Sequence, residues 1–266
     1  MPATRPKILF VSARLPYPAV EGHQIRTLGV LSELAKDYDI YLLSLLRKHE
    51  SVDHSNKLGK LCKRIVGVDS SRSLLSLGGA VVQGLLSDTP LVVNKYVSPE
   101  LKRRFVELAD SCQPDIIHLD LLHLASLAEL SPRSTPIVLN EHNIESHLTS
   151  QRLLNESNLI KRVLYRRENR TLQEFEKNAC LRSNLVLACS AEDQQTIEGF
   201  GSKKAVQIPN GVNIQELQPA QATPNSKRLV FLGGMAWYPN RLGLQWFVDE
   251  VMPLLMPKHL QILTML

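Results

Sequence analysis

The 266-residue sequence has only four cysteines, Cys62, Cys112, Cys180 and Cys189, and no two form a C-x-x-C pair. A zinc knuckle and a redox dithiol are therefore disfavoured, and a reduced cytosolic setting is the default. No apolar run approaches the roughly 18 residues of a membrane span, and Ile8–Val11, broken off by Pro16 and Pro18, is too short for a signal-peptide core. No G-x-G-x-x-G follows the first apolar run, which argues against a nicotinamide dehydrogenase. No G-x-S-x-G elbow surrounds Ser190. His142 and His147 are five residues apart, as are His118 and His123, so neither pair has the i, i+4 spacing of a zinc protease. Aromatics make up 5% of the chain and do not alternate with its basic residues, so nucleic-acid binding is not expected.

What remains is an ordinary globular composition, 44% hydrophobic and 21% charged, with a mildly basic net charge of +5. That charge is compatible with anionic ligands but selects none.

Short β-branched runs alternate with helical stripes. Strands are expected at 7–12, 39–45, 64–69, 115–120, 136–141, 184–190 and 205–209. The spacing of Ile25, Leu28, Leu31, Leu34 and Ala35 predicts a helix buried along one face. Residues 70–112 read as mostly helical, with Ser98-Pro99-Glu100 as a helix start. A short helix is expected between the strands at 115–120 and 136–141. The fold class that follows is α/β, a doubly wound parallel sheet of Rossmann-like form. Residues 1–208 form its domain and 209–226 a linker rich in Pro, Asn, Gln and Ala. Residues 227–266 then begin a second β-α-β unit, so the chain reads as a fragment of a two-domain protein or a truncated product. Ligands of such sheets bind beyond the carboxyl ends of the strands. Attention therefore falls on Ser12–Gly22, His118–Asp120, Glu141–Asn143 and Ser190.

Several motifs occur in a fixed order. They are the Pro16–Gly22 loop with Arg26, Pro114-Asp115-Ile116-Ile117-His118, Glu141-His142-Asn143-Ile144-Glu145, Cys189–Asp193, Ile208-Pro209-Asn210-Gly211-Val212-Asn213, and Phe231–Asn240 with Gly233-Gly234. Together they resemble the GT-B glycosyltransferases of the family 4 type, over almost the whole chain. The resemblance implies a nucleotide-sugar donor held mainly by the second domain, acceptor binding by the first, and transfer with retention at the anomeric carbon. The sugar would pass to a glycan or lipid-linked acceptor in cell-envelope or polysaccharide assembly. No cofactor beyond the nucleotide-sugar co-substrate, and no metal, is expected.

In this pattern His142 faces the reacting sugar as the catalytic candidate. Gly22, Arg26, Asp120, Glu141, Asn143, Asn210 and Gly211 are substrate-binding candidates, and Gly233 and Gly234 are donor-phosphate candidates. The bland alternatives are a turn at Gly22 and at Asn210-Gly211, a capping role for Asp120 and Ser190, and a helix-start carboxylate at Glu145. The helix expected over 159–182 carries seven basic residues against three glutamates, with Ile160, Leu164, Leu172, Phe175 and Ala179 as an apolar stripe. It reads as a solvated surface helix or as a peripheral contact with the inner face of an anionic membrane. Two competing functions stay open: a catalytically incomplete remnant that binds an acceptor or partner, and a nucleotide-sugar 2-epimerase of the same architecture.

Overall fold

The computed structural model describes residues 5–53, 57–70, 89–132, 134–214, 229–235, 237–255 and 263–265. The chain divides into two compact units, Met1–Gly211 and Val212–Leu266.

The first unit is built on a seven-stranded sheet with the order β3-β2-β1-β4-β5-β6-β7, and every pairing is parallel. Its strands are β1 (Lys7–Ser12), β2 (Asp39–Leu46), β3 (Cys62–Asp69), β4 (Ile116–Asp120), β5 (Ile137–Asn140), β6 (Leu185–Ala188) and β7 (Ala205–Gln207). They read as continuous apolar runs because helices cover both faces.

Alternation along the strands divides the interior in two. On one face Ile8, Phe10, Ile40 and Leu42 pack with Leu28 and Leu31 of helix α1 (Gly22–Leu34). On the other, Leu9, Val11, Leu43, Ile117, Leu119 and Leu139 pack with Leu101, Phe105 and Leu108 of the helix Pro99–Cys112 and with Leu172 and Ala179 of the helix Leu159–Arg182. The expected α/β doubly wound class is what the chain adopts.

Two expected helix stripes differ in detail. In α1 the buried row is Gln24, Thr27, Leu28 and Leu31, while Ile25 is 49% exposed. Polar side chains take the inward positions because each has a partner there. Gln24 donates to the Leu15 carbonyl (2.8 Å) and accepts from the Glu21 N–H (3.1 Å), and Thr27 reaches Asp120 (2.5 Å). In Leu159–Arg182 only the second half of the stripe is buried, and Ile160 and Leu164 face solvent.

The same long helix supplies caps to two other helices. Glu168 accepts from the N–H groups of Leu91 and Val92 (2.9 and 3.0 Å), which open the helix Leu91–Tyr96. Glu176 accepts from Glu145 N (2.6 Å), Ser146 N (3.3 Å) and the Ser146 hydroxyl, at the start of the helix Glu145–Leu154. These carboxylates satisfy donors that helix starts leave free.

The connection between β4 and β5 is a 3-10 helix, Leu122–Leu130. It is entered through Leu121 at φ 142°, a region that side-chain-bearing residues rarely adopt. Ser98 and Ser190 cap their helices as their sequence context suggests, accepting from Leu101 N and Asp193 N. The expected helical stretch at 71–88 and linker residues 215–226 lie outside the described residues.

The second unit pairs β8 (Leu229–Phe231) with β9 (Leu263–Met265) in parallel. A helix runs from Tyr238 to Leu255 through one π turn at Phe247–Val251.

Candidate functional site

In the sheet of the first unit the strand order reverses between β1 and β4, and Ser12 stands opposite Asp120 at their carboxyl ends. Such a reversal opens a crevice between the two outgoing loops. The loop after β1 leads into α1, whose first residue, Gly22, is exposed. A Cβ built at Gly22 meets nothing within 4 Å.

At the crevice a buried polar network replaces the apolar face. Phe10 and His118 stack with ring centroids 4.3 Å apart. Beyond them Asp120 is almost fully enclosed and accepts from three groups: the Thr27 hydroxyl (2.5 Å), Asn140 Nδ2 (2.6 Å) and His142 Nε2 (3.0 Å). His118 Nε2, at 3.9 Å, lies beyond hydrogen-bond range. Burial alone would raise the Asp120 pKa, but the neighbouring His142 and His118 imidazoles outweigh it and hold the carboxyl well below the usual carboxylate range.

An ionised carboxylate only accepts, so the Nε2 atom of His142 carries the proton. The 3.3 Å approach of Asn140 Nδ2 to that nitrogen is then a meeting of two donors on one acceptor. In the neutral ring Nδ1 is left as an acceptor.

Arg26 is 7% exposed and belongs to the same network. One terminal nitrogen bonds Asn140 Oδ1 (3.0 Å). The other bonds the Ile208 carbonyl (2.6 Å) and Asn210 Oδ1 (3.1 Å). The structure thus brings His142, Asp120, Arg26 and Asn210 into one connected set, with Asn140 at its centre. Gly211 follows directly, exposed, and a Cβ there also meets nothing. Asn143 is exposed.

Glu141 points the other way. Asn140 and His142 share the α1 face of the sheet, so the residue between them faces the second core. It is 1% exposed, and neither carboxylate oxygen has a hydrogen-bond partner among the described residues. Burial, and then Glu176, Glu145 and Asp193, push its pKa well above the ordinary value. Glu145 rises to about 7 through burial and the nearby Glu176.

Gly233 and Gly234 lie in the second unit, in the turn after β8. Asn240 Nδ2 donates to the Gly234 carbonyl (3.1 Å). A Cβ at Gly233 would come within 2.8 Å of that same nitrogen and 3.0 Å of the Phe231 ring.

Two crevice residues, His23 and Asn140, were not among the sequence candidates. His23, in the first turn of α1, has its pKa lowered by burial and by Arg14, and its Nε2 is buried without a partner among the described residues. The glutamate preceding Gly22 is engaged rather than free, with Glu21 oxygens 3.0 Å from Arg14 and 3.2 Å from Arg47. Asn140 could have been found by strand alternation, since it lies two residues before His142.

Among the described residues no group of three or more His, Cys, Asp or Glu is arranged to hold a metal ion. The sequence does contain one D-x-D triplet, Asp37-Tyr38-Asp39, but it sits where the chain enters β2, at the end of the sheet opposite the crevice. A separate surface cavity of about 500 Å³, lined by Val93, Ser126, Phe175 and Asn178 among others, contains none of the network residues.

The family model described as Glycosyltransferase Family 4 matches residues 60–216. No curated protein matches the sequence. Among solved structures, a sucrose-phosphate synthase from Thermosynechococcus elongatus aligns with a TM-score of 0.48 and 14% identity, over 80% of this chain and 50% of that one. The UGT2 protein of Phytolacca americana, complexed with UDP-2-fluoro-glucose and pterostilbene, aligns at 0.49 and 11%, over 87% and 61%. The N-terminal domain of a Candida albicans trehalose-6-phosphate phosphatase aligns at 0.40 and 15%, over 79% and 49%. The chain thus spans about half to three-fifths of the length of these structures.

Proposed function

Because the chain belongs to glycosyltransferase family 4, we propose that its crevice serves the transfer of a hexose-type sugar from a nucleotide-sugar to a glycan or lipid-linked acceptor. The observation that carries the reading is the Asp120–His142 pair at the carboxyl ends of β4 and β5. Asp120 fixes the proton on Nε2, and Nδ1 then accepts a hydrogen bond from a sugar hydroxyl. As positive charge develops at the anomeric carbon, the ionised Asp120 behind the ring keeps the local field favourable to it. The open space at Gly22 and Gly211 supports close backbone approach by a ligand.

In this reading the Gly233-Gly234 turn of the second unit meets the donor diphosphate, transfer proceeds with retention, and the product belongs to polysaccharide or envelope assembly. The protein works in the cytosol in peripheral contact with a membrane, with no cofactor or metal beyond the sugar nucleotide.

The test is incubation of the purified chain with labelled nucleotide-sugars and polyprenyl-linked or oligosaccharide acceptors, beside a His142→Ala variant of equal thermal stability. Acceptor-dependent transfer that falls at least about 100-fold in the variant supports the reading. Acceptor binding without turnover would identify a non-catalytic binding module instead. Isomerisation of the donor alone would identify an epimerase.

A further inference from the structure

The helix Glu145–Leu154 begins three residues after His142 and runs into a hairpin with Leu159–Arg182. The base of this hairpin is fastened. Glu176 holds the start of its first helix, and Ser150 donates to Asn169 (3.1 Å) halfway along. Past that point Leu153 and Tyr165 stay half-buried while the outer aliphatics open to solvent. Leu154, Leu159 and Ile160 are 78%, 73% and 75% exposed, and Val163 and Leu164 are exposed with them. Lone exposed aliphatics are ordinary, but five at one tip are not.

Their arrangement is specific. Leu159 and Val163 form one i, i+4 row and Ile160 and Leu164 the next, so the four make a continuous apolar strip. Lys161 flanks the strip on one side and Arg162 and Arg166 on the other, all exposed. Across 151–167 five basic residues stand against one acid, Glu156, whose carboxylate is engaged by the Asn158 N–H at 2.9 Å. Asn158 also caps the second helix, accepting from Lys161 N at 3.1 Å, so the tip is a formed helix start.

We propose that this hairpin tip, Leu154 to Arg166, docks on an anionic phospholipid bilayer, with its aliphatic strip among the acyl chains and its basic residues at the headgroups. The charge selects the occupant. A protein partner with a matching apolar face would not need a ring of cations around it, whereas a lipid surface with negative headgroups meets both parts at once. Long basic side chains reach back to the headgroups while their stems stay with the aliphatics. The first helix has ten residues and spans about 15 Å. That length sets the separation between the membrane contact and the His142 loop, within reach of an acceptor whose lipid stays in the bilayer. This placement extends the reading of a lipid-linked acceptor, but the docking is measured without turnover.

The test is co-flotation of the purified chain with vesicles of phosphatidylcholine, with and without phosphatidylglycerol. Binding is expected only with the anionic lipid and should weaken as salt is raised. Lys161→Gln with Arg162→Gln should lower the partition coefficient by about 30-fold. Ile160→Asp with Val163→Asp should lower it by at least about tenfold. Both variants should keep the wild-type thermal midpoint, because every changed side chain is exposed, and Lys36→Gln should bind as wild type. Equal binding to both vesicle types, wild-type binding by the two double variants, or a dimer in solution that Ile160→Asp with Val163→Asp dissociates would overturn the proposal. Vesicle binding with no transfer keeps the docking surface and removes the enzyme reading. Transfer without vesicle binding does the reverse.

Discussion

Replacing Glu141 with glutamine should stabilise the protein, and by more as the pH rises. The folded carboxyl has no hydrogen-bond donor among the described residues, is buried and faces three other acids, so the folded state holds its proton to a higher pH than the unfolded chain does. In the unfolded chain the group ionises near its ordinary value of 4.5. A folded pKa raised above the unfolded one means that stability is fully present below the unfolded value. It is then lost as the pH climbs toward the folded one. The loss is about 1.4 kcal/mol per pH unit for one proton. Glutamine has the shape of the neutral acid and nothing to ionise in the unfolded state. Allowing for imperfect accommodation of its amide, Glu141→Gln should gain more than about 1 kcal/mol at pH 8 relative to its effect at pH 5. Urea denaturation of both proteins at the two pH values measures the difference. The variant should retain part of the wild-type slope, because Glu145, raised to about 7, contributes about 3 kcal/mol of the same sign between pH 4.5 and 7. A variant destabilised equally at both pH values would show that Glu141 is ionised and paired in the native state, and the argument would fail.

Asp120→Asn should leave His142 free to take the other tautomer. Histidine NMR should show the proton no longer fixed on Nε2, and any transfer activity should fall by about 10²–10⁴-fold. Glu176→Ala removes the acceptor from two backbone N–H groups and a hydroxyl. A cost of about 2–4 kcal/mol is expected, with faster amide exchange confined at first to the start of Glu145–Leu154. Gly22→Ala has open space and should change stability by less than about 1 kcal/mol while weakening nucleotide or acceptor binding in calorimetry. Unchanged binding would reduce Gly22 to a turn residue.

The sheet was legible in the sequence because its strands are apolar on both faces, and only burial under two helix layers explains such runs. Serine caps such as Ser98 and Ser190 were legible for a local reason: the cap and its donor are three residues apart. What escaped was every decision made at long range. Ile25 looks like a core residue until Gln24 and Thr27 find partners at Leu15 and Asp120, which turns the helix by about one position. Glu168 and Glu176 look like solvated charges on a basic helix. Their donors lie 76–77 and 30–31 residues away, and no spacing rule reaches that far. Of the candidate site, His142 and Asp120 could be named from strand ends. That Nε2 is the nitrogen bound to Asp120, and that Glu141 turns to the opposite core, needed coordinates.

Asp120 and Glu141 make the physical point of the site together. Both are buried acids at the ends of neighbouring strands, and desolvation pushes both toward neutrality. Asp120 has three donors within 3.0 Å and two imidazoles beside it, so it keeps its charge. Glu141 has no donor among the described residues, and burial together with Glu176, Glu145 and Asp193 pushes it toward the neutral form. A negative charge therefore persists on the α1 face, behind His142, while Glu141 on the opposite face is pushed toward its neutral form. Arg26 links the Asn140 that serves Asp120 to Ile208 and Asn210, where the chain leaves the first unit. A displacement of Asn210 would draw on Arg26, then on Asn140, then on the hydrogen bond that holds the Asp120 carboxylate against the imidazole. The segment that leads toward the second unit thus reaches His142 through a chain of three buried side chains, each bonded to the next at 3.1 Å or less.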